Sequence, residues 1–351
     1  MKCVTRLKAV LLFSFFWIVA TNVIAQVQTP RYNTPIGSNV KGFYEYLPKG
    51  YDLSDSTYPL IVFFHGKGEL GNGDANSLPA ILVDGLTKLI NDGKFPVSFT
   101  VNATTYKFIV ISPQFVVWPS PINVQEVINY AISHYRVNIN RIYLTGLSMG
   151  GGATWDYSGD NSIYANRVAA IVPICGASYP EPEKGRVIAS SNLPVWATHN
   201  SGDNVVPVSN TNGYINNINQ APAPVPLAKK TIFNVTGHNA WLKTYDPLYK
   251  EDGMNIYEWM LHYERKTLTA GSNSPVCTDS LLQLSALYVE GASYIWTGPN
   301  GFTSKLREPV VSPVTGATSG TYTVMLNKND SIATASTTVE VHSTGTFYRD
   351  A

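Results

Sequence analysis

Gly146-Leu147-Ser148-Met149-Gly150 decides the reading of this chain, because it sets a serine between two glycines directly behind an apolar run, 141–145, that has the character of a strand. A turn from strand into helix this tight leaves no room for bulk two residues to either side of its centre. Its strain lifts the central hydroxyl clear of the sheet edge. Gly151 and Gly152 add room for the following helix to approach the sheet. The five-residue pattern also arises by chance in loops, so the surrounding chain has to carry the reading.

Outward from the serine, 60–64, 106–112, 168–174, 195–198 and 230–235 are further strand candidates, most of them continuous apolar runs as buried parallel strands are. Between the second and the serine strand, Val124, Val127, Ile128, Ala131 and Tyr135 recur at helical spacing, and a last helix is expected near 255–264. Strands alternating with helices predict an α/β fold, a mostly parallel sheet with helices on both faces, over residues 26–266. After Arg265 the composition shifts to Thr, Ser, Gly and Val. Leu282 and Leu284, Tyr294 and Trp296, and Tyr322 and Val324 alternate with polar neighbours, and Gly298-Pro299-Asn300-Gly301 reads as a turn. A linker at 267–271, a small all-β sandwich over 272–343 and a tail at 344–351 are therefore expected.

A formal net charge of +1 offers no electrostatic ground for nucleic acid or an acidic membrane surface as partner. Lys2, Arg6 and Lys8 precede an apolar run, 9–20, and a more polar stretch ending at Ala25, which is the pattern of a secretory signal peptide over 1–25. The run is short for a membrane span, which needs about 20 apolar residues. The expected product is secreted, with no span left after cleavage. It would keep Cys175 and Cys277, which fall in different expected domains and so predict no disulfide, and Cys175 reads as a small core residue.

A serine hydroxyl needs a base within hydrogen-bond reach, and the base needs an acid to orient it. In chain order the candidates are Ser148, Asp203 and His238. Of the six histidines, His65 precedes the serine, His134 and His262 fall in helices, and His342 lies in the second domain. His199 is too near the acid loop to be the base as well and is expected to hold that loop. Asp156 and Asp160 follow the serine too closely to serve as the acid. For the oxyanion of a tetrahedral intermediate, the backbone N–H groups of Met149 and of Lys67, in the glycine-rich loop His65-Gly66-Lys67-Gly68-Glu69-Leu70-Gly71, are the candidates. Trp118 and Trp241 are the candidate substrate contacts, in loops 114–121 and 241–253 that should wall the pocket. No cofactor is called for, and no His, Cys and carboxylate cluster has metal-ligand spacing.

The segments 59–71, 141–155, 170–176, 194–207 and 237–241 resemble the secreted α/β-hydrolases often labelled predicted peptidases. They are similar also to phospholipase/carboxylesterase and polyhydroxybutyrate-depolymerase-like esterases, acetylxylan and feruloyl esterases among them. The resemblance implies an α/β-hydrolase fold with Ser148, Asp203 and His238 as a triad. Asn200 departs from it, since relatives usually have glycine after the histidine. The second region resembles immunoglobulin-like or PKD-like modules of bacterial surface proteins through Trp296 to Phe302 and Ser319 to Val324, with Val324 where a cysteine would stand for a disulfide. The expected function is a secreted serine esterase acting on a small or polymer-linked ester, such as an acetyl or feruloyl group on plant polysaccharide. The all-β module would serve as a spacer or a means of cell-surface association. Tyr294, Trp296 and Phe302 as a sugar platform is the less favoured reading of that module. A serine peptidase of the same fold, and a surface binding protein without catalysis, are the alternatives.

Overall fold

The computed structural model describes residues 28–220, 223–265, 270–286, 291–328 and 331–343. The expected signal peptide, the tail and most of the expected linker lie outside the described residues. In chain order the central sheet contains β1 (Thr29–Arg31), β2 (Val40–Tyr46), β3 (Tyr58–Phe64), β4 (Ile109–Phe115), β5 (Val137–Leu147), β6 (Ala170–Ile174), β7 (Trp196–Gly202) and β8 (Lys229–Thr236). Across the sheet the order is β1-β2-β4-β3-β5-β6-β7-β8. The first two strands pair antiparallel, as does β2 with β4, and every later pairing is parallel.

The apolar runs read as strands are continuous because both faces of the sheet are covered. Leu60, Val62 and Phe64 of β3 belong to one core, together with Val124, Val127 and Ile128 of α2 (Pro121–His134). Ile61 and Phe63, pointing the other way, join a second core with Leu86 and Ile90 of α1 (Gly85–Asn91) and Ile256, Tyr257 and Met260 of α6 (Ile256–Leu261). The strand period of two thus feeds two apolar layers at once. Helix α2 starts where Ser120 and Asn123 form a capping box ahead of Pro121, and α6 where Asn255 accepts the N–H of Glu258. The molecule has an α/β-hydrolase-like fold with a mostly parallel central sheet.

The helix behind the serine, α3 (Met149–Asp160), opens with three consecutive glycines, a composition poor in helix propensity. Space explains it: a Cβ on Gly150 would lie 2.1 Å from the carbonyl oxygen of Phe64, at the end of β3. Only an unsubstituted backbone lets the first turn of α3 rest on the strand ends. Further along, past α4 (Pro182–Ser190), Tyr214 of α5 (Val208–Ile218) stacks on Trp155, ring centroids 4.1 Å apart and planes 1° from parallel, both fully buried. We expect Gly150→Ala to destabilise the fold by about 3 kcal/mol, the upper range for overpacking, since the obstacle is backbone. Urea unfolding at constant m-value measures it.

Beyond residue 270 the strands are short and mostly antiparallel. Ala270–Ser272, Leu282–Ala286 and Val310–Val311 form one sheet, and Thr303–Ser304, Ser293–Thr297, Gly320–Lys328 and Ser331–Val339 another. Leu282 and Leu284 of the first share one apolar cluster with Trp296, Tyr322 and Val324 of the second. Trp296 is fully buried and Tyr294 nearly so, which removes both from any surface platform. The Tyr322 hydroxyl donates to the Thr318 carbonyl at 3.0 Å. Cys175 is buried and Cys277 exposed, both as free thiols. Among the described residues no helix is long and apolar enough to cross a membrane.

Candidate active site

Ser148 sits between β5 and α3 with φ 53° and ψ −116°, a backbone conformation that a non-glycine residue holds only when its surroundings enforce it. Enforcement is visible: its N–H donates to Ile174 at the end of β6, and its carbonyl accepts the N–H groups of Gly152 and Ala177, at 3.0, 2.9 and 2.9 Å. The hydroxyl is thereby presented at the carboxyl edge of the sheet, where parallel α/β sheets carry their sites.

Two neighbouring strands deliver the other side chains to that edge. Past β7 the chain turns, with the Asp203 N–H reaching back to the Asn200 carbonyl, and past β8 it turns through Gly237 at φ 91°. His238 Nδ1–H then donates to Asp203 Oδ2 at 2.6 Å. Oδ1 accepts from the backbone N–H groups of Val205 and Val206 at 2.9 and 3.0 Å. The Asp203 side chain is wholly buried and that of His238 is 13% exposed. Since Nδ1 carries the proton in a neutral ring, Nε2 presents a lone pair. It is buried and makes no hydrogen bond among the described residues.

Burial alone would raise the Asp203 pKa. The bond from His238 and the two backbone N–H groups outweigh it and hold the carboxyl below its usual range. The same groups are not arranged this way in the unfolded chain, where a free Asp titrates at about 3.9. Its stabilisation is therefore complete above that pH and is lost as the pH falls through the lower folded-state value. The melting-temperature gap between wild type and Asp203→Asn should accordingly narrow on acidification below about pH 4; a gap that widened there would contradict the assignment.

His199 lies under the acid loop as expected. Its Nε2 is 3.0 Å from the Val206 carbonyl and 3.2 Å from Asp203 Oδ2, while Nδ1 accepts from the Thr211 hydroxyl at 2.8 Å. Burial lowers its pKa, keeping it neutral. Asp156 is turned away to Ser178 and Lys184, and Asp160 to Asn161.

Cys175, directly after β6, is the floor that joins the serine to the pair. Its sulfur lies within 4.8 Å of ligand atoms of both Asp203 and His238. Cys175, Asp203 and His238 are a possible metal-ligand cluster by distance. Chemically they are a poor one. Burial pushes the thiol well above its ordinary pKa, so it stays protonated, and the other two are bonded to each other.

On the other flank, the glycine-rich loop folds into a short 3-10 turn, Lys67–Glu69. Buried Glu69 accepts the Gly66 N–H, and buried His65 Nε2 accepts the N–H of Phe115, so the loop is tied to the end of β4. A Cβ on Gly66 would lie 3.8 Å from that of Ser148, which places Lys67 beside the serine. Lys67 and Met149 are each the first residue of a helical turn, where the N–H has no partner within the helix.

Trp241 packs edge-on against the His238 ring, centroids 5.3 Å apart, with its indole N–H held by Asp84 at 2.9 Å. It also forms part of the wall of a cavity of about 830 Å³, with Gly85, Phe99, Leu242, Tyr245 and Leu248. The rest of that cavity's lining comes largely from α1 and the chain after it, and Ser148, Asp203 and His238 do not line it. Trp118, in the loop 114–121, stands 44% exposed and is not on the cavity wall. Sequence reading missed α1 here. Its one signal was Gly85, where a Cβ would lie 2.8 Å from the Leu147 side chain, immediately before the serine.

No protein-family model matches the chain. Over 129 residues, 36% of its length, it is 30% identical to a bifunctional acetylxylan esterase/xylanase of Neocallimastix patriciarum, of which the match spans 18%. Among solved structures it is similar to a thermostable esterase, with 23% identity over 68% of this chain and 63% of that one and a TM-score of 0.49. The feruloyl esterase module of Clostridium thermocellum, as a serine-to-alanine mutant with sinapinate, gives 20% identity over 63% of this chain and 87% of that one, at a TM-score of 0.42.

Proposed function

We propose that this chain is a carboxylic ester hydrolase of the serine type. The carrying observation is the buried Asp203–His238 pair, its Nε2 without a partner among the described residues, on the same sheet edge as the strained Ser148. In this reading Ser148 Oγ attacks the ester carbonyl carbon as Nε2 takes its proton. The N–H groups of Met149 and Lys67 receive the negative oxygen, and Asp203 stabilises the imidazolium. Collapse expels the alcohol, which takes the proton from His238. Water, deprotonated by His238 in turn, attacks the acyl-serine and frees the carboxylic acid and Ser148. No hydrogen bond yet joins Nε2 to Ser148 among the described residues, and such contacts commonly tighten only with substrate in place.

The likeness to an acetylxylan esterase/xylanase supports an ester on a polysaccharide as the substrate, and the cavity beside Trp241 offers room for the body of a substrate larger than its ester. Export through the N-terminal segment 1–25, and the region 272–343 as an immunoglobulin-like spacer, belong to the same reading. The Tyr322 hydroxyl bond to backbone four residues upstream supports the second, because sandwiches of that kind carry a tyrosine bonded in this way. Turnover of nitrophenyl acetate, acetylated xylan and methyl ferulate, compared with a peptide anilide, tests the proposal. Ester cleavage is expected, and cleavage of the anilide alone would replace it with a peptidase.

A further inference from the structure

Asn200 is the residue where this chain departs from the glycine expected after His199, and nothing in the chemistry above uses it. The side chain is almost completely buried at the end of β7. Its backbone carbonyl accepts the N–H of Asp203 at 3.3 Å, closing the turn that projects the acid. Its side-chain Nδ2 donates to the Gly237 carbonyl at 2.7 Å and to Asn239 Oδ1 at 2.8 Å. Those two residues flank His238 on either side.

One residue is therefore bonded by its main chain to the acid and by its side chain to both neighbours of the base. The orientation of the amide follows from chemistry, since the Gly237 carbonyl can only accept and must face the NH2. The amide oxygen is left buried without a partner among the described residues. A buried unsatisfied acceptor costs stability, so a side chain kept here for packing alone would be better apolar. The donor half is what the site uses. Glycine at this position would remove both side-chain bonds to the His238 loop. The β7–β8 pairing shifts register between Phe233 and Thr236 and resumes at Thr236 with Gly202, where the Gly237 N–H donates to the Gly202 carbonyl at 3.0 Å, so Asn200 adds side-chain bonds on both sides of His238 to one main-chain tie.

We propose that Asn200 is a positioning residue that locks the acid and base loops into one unit and thereby sets the Asp203–His238 hydrogen bond. The proposal rests on the serine-hydrolase reading for its kinetic consequence but not for its structural one. Removing the tie lets His238 drift relative to both Asp203 and Ser148. Misplacement of a catalytic group by about 1 Å costs up to about a hundredfold in rate.

The test compares wild type, Asn200→Ala and Asn239→Ala by kinetics on nitrophenyl acetate and by the downfield proton NMR signal of the His238 Nδ1–H. The tie predicts a kcat lowered about ten- to a hundredfold in Asn200→Ala with KM nearly unchanged, and a His238 signal moved upfield or broadened. Asn239→Ala, a change at an exposed side chain, removes one of the two acceptors and should shift both readouts the same way by less. A purely structural role would lower the melting temperature and leave kcat per labelled Ser148 and the proton signal where they were, which would overturn the proposal. If Asn200→Ala does not fold, an unaltered signal and kcat in Asn239→Ala overturns it equally. Failure of the serine-hydrolase reading shows separately, as a wild type that a phosphonate does not label at Ser148.

Discussion

Ser148→Ala is expected to lower kcat/KM for nitrophenyl acetate about ten-thousand-fold or more, about 5 kcal/mol of transition-state stabilisation, with the fold intact. The size follows from what the residue does. It alone forms the covalent bond, and without it the N–H groups of Met149 and Lys67 stabilise only direct attack by water, a much poorer route. Two bonds that hold the elbow, the Ser148 N–H to Ile174 and the Ala177 N–H to the Ser148 carbonyl, use backbone and survive the change. Loss of activity with an unchanged melting curve is thus the expected pair of results. Ester turnover persisting at the wild-type rate would end the proposal.

Asp203→Asn should come close to it, about a thousandfold to ten-thousandfold in kcat. The amide oxygen can still accept from Val205 and Val206, which fixes the side chain and turns its NH2 toward His238. Facing a donor, Nδ1 must accept, so the proton moves to Nε2, where the base needs a lone pair. The ring is then in place but in the wrong tautomer. Steady-state kinetics on the same ester measures the loss. Activity within about tenfold of wild type would move the acid role elsewhere.

Much of this architecture was legible because burial on both faces leaves strands as unbroken apolar runs: β3 reads Tyr-Pro-Leu-Ile-Val-Phe-Phe and β6 Ala-Ile-Val-Pro-Ile. The first two strands were not recognised. β1 has three residues at the sheet edge, and β2 carries Lys41, Gly42 and Glu45 among its aromatics, so neither shows a clean period. The last helix is shorter than the expected 255–264, ending at Leu261. In the site, the meeting of Asp203 with His238 could be read from chain order, since loops leaving adjacent parallel strands at one edge must come together. The second cavity wall could not, because α1 lies about 60 residues before Ser148 and meets the site through contacts such as Asp84 with Trp241 and Gly85 with Leu147, which no local pattern announces. Asn200 was visible as an oddity of sequence, but its partners at 237 and 239 belong to another strand.

Cys175 and Cys277, the thiols among the described residues, turn the catalytic floor into a stopwatch. A thiol reagent meets Cys277 at the surface at once, whereas Cys175, fully buried, must wait for a local opening. The lag before Cys175 reacts records how often the ground beneath Ser148 gives way. An acyl group or inhibitor held on the serine would lengthen it.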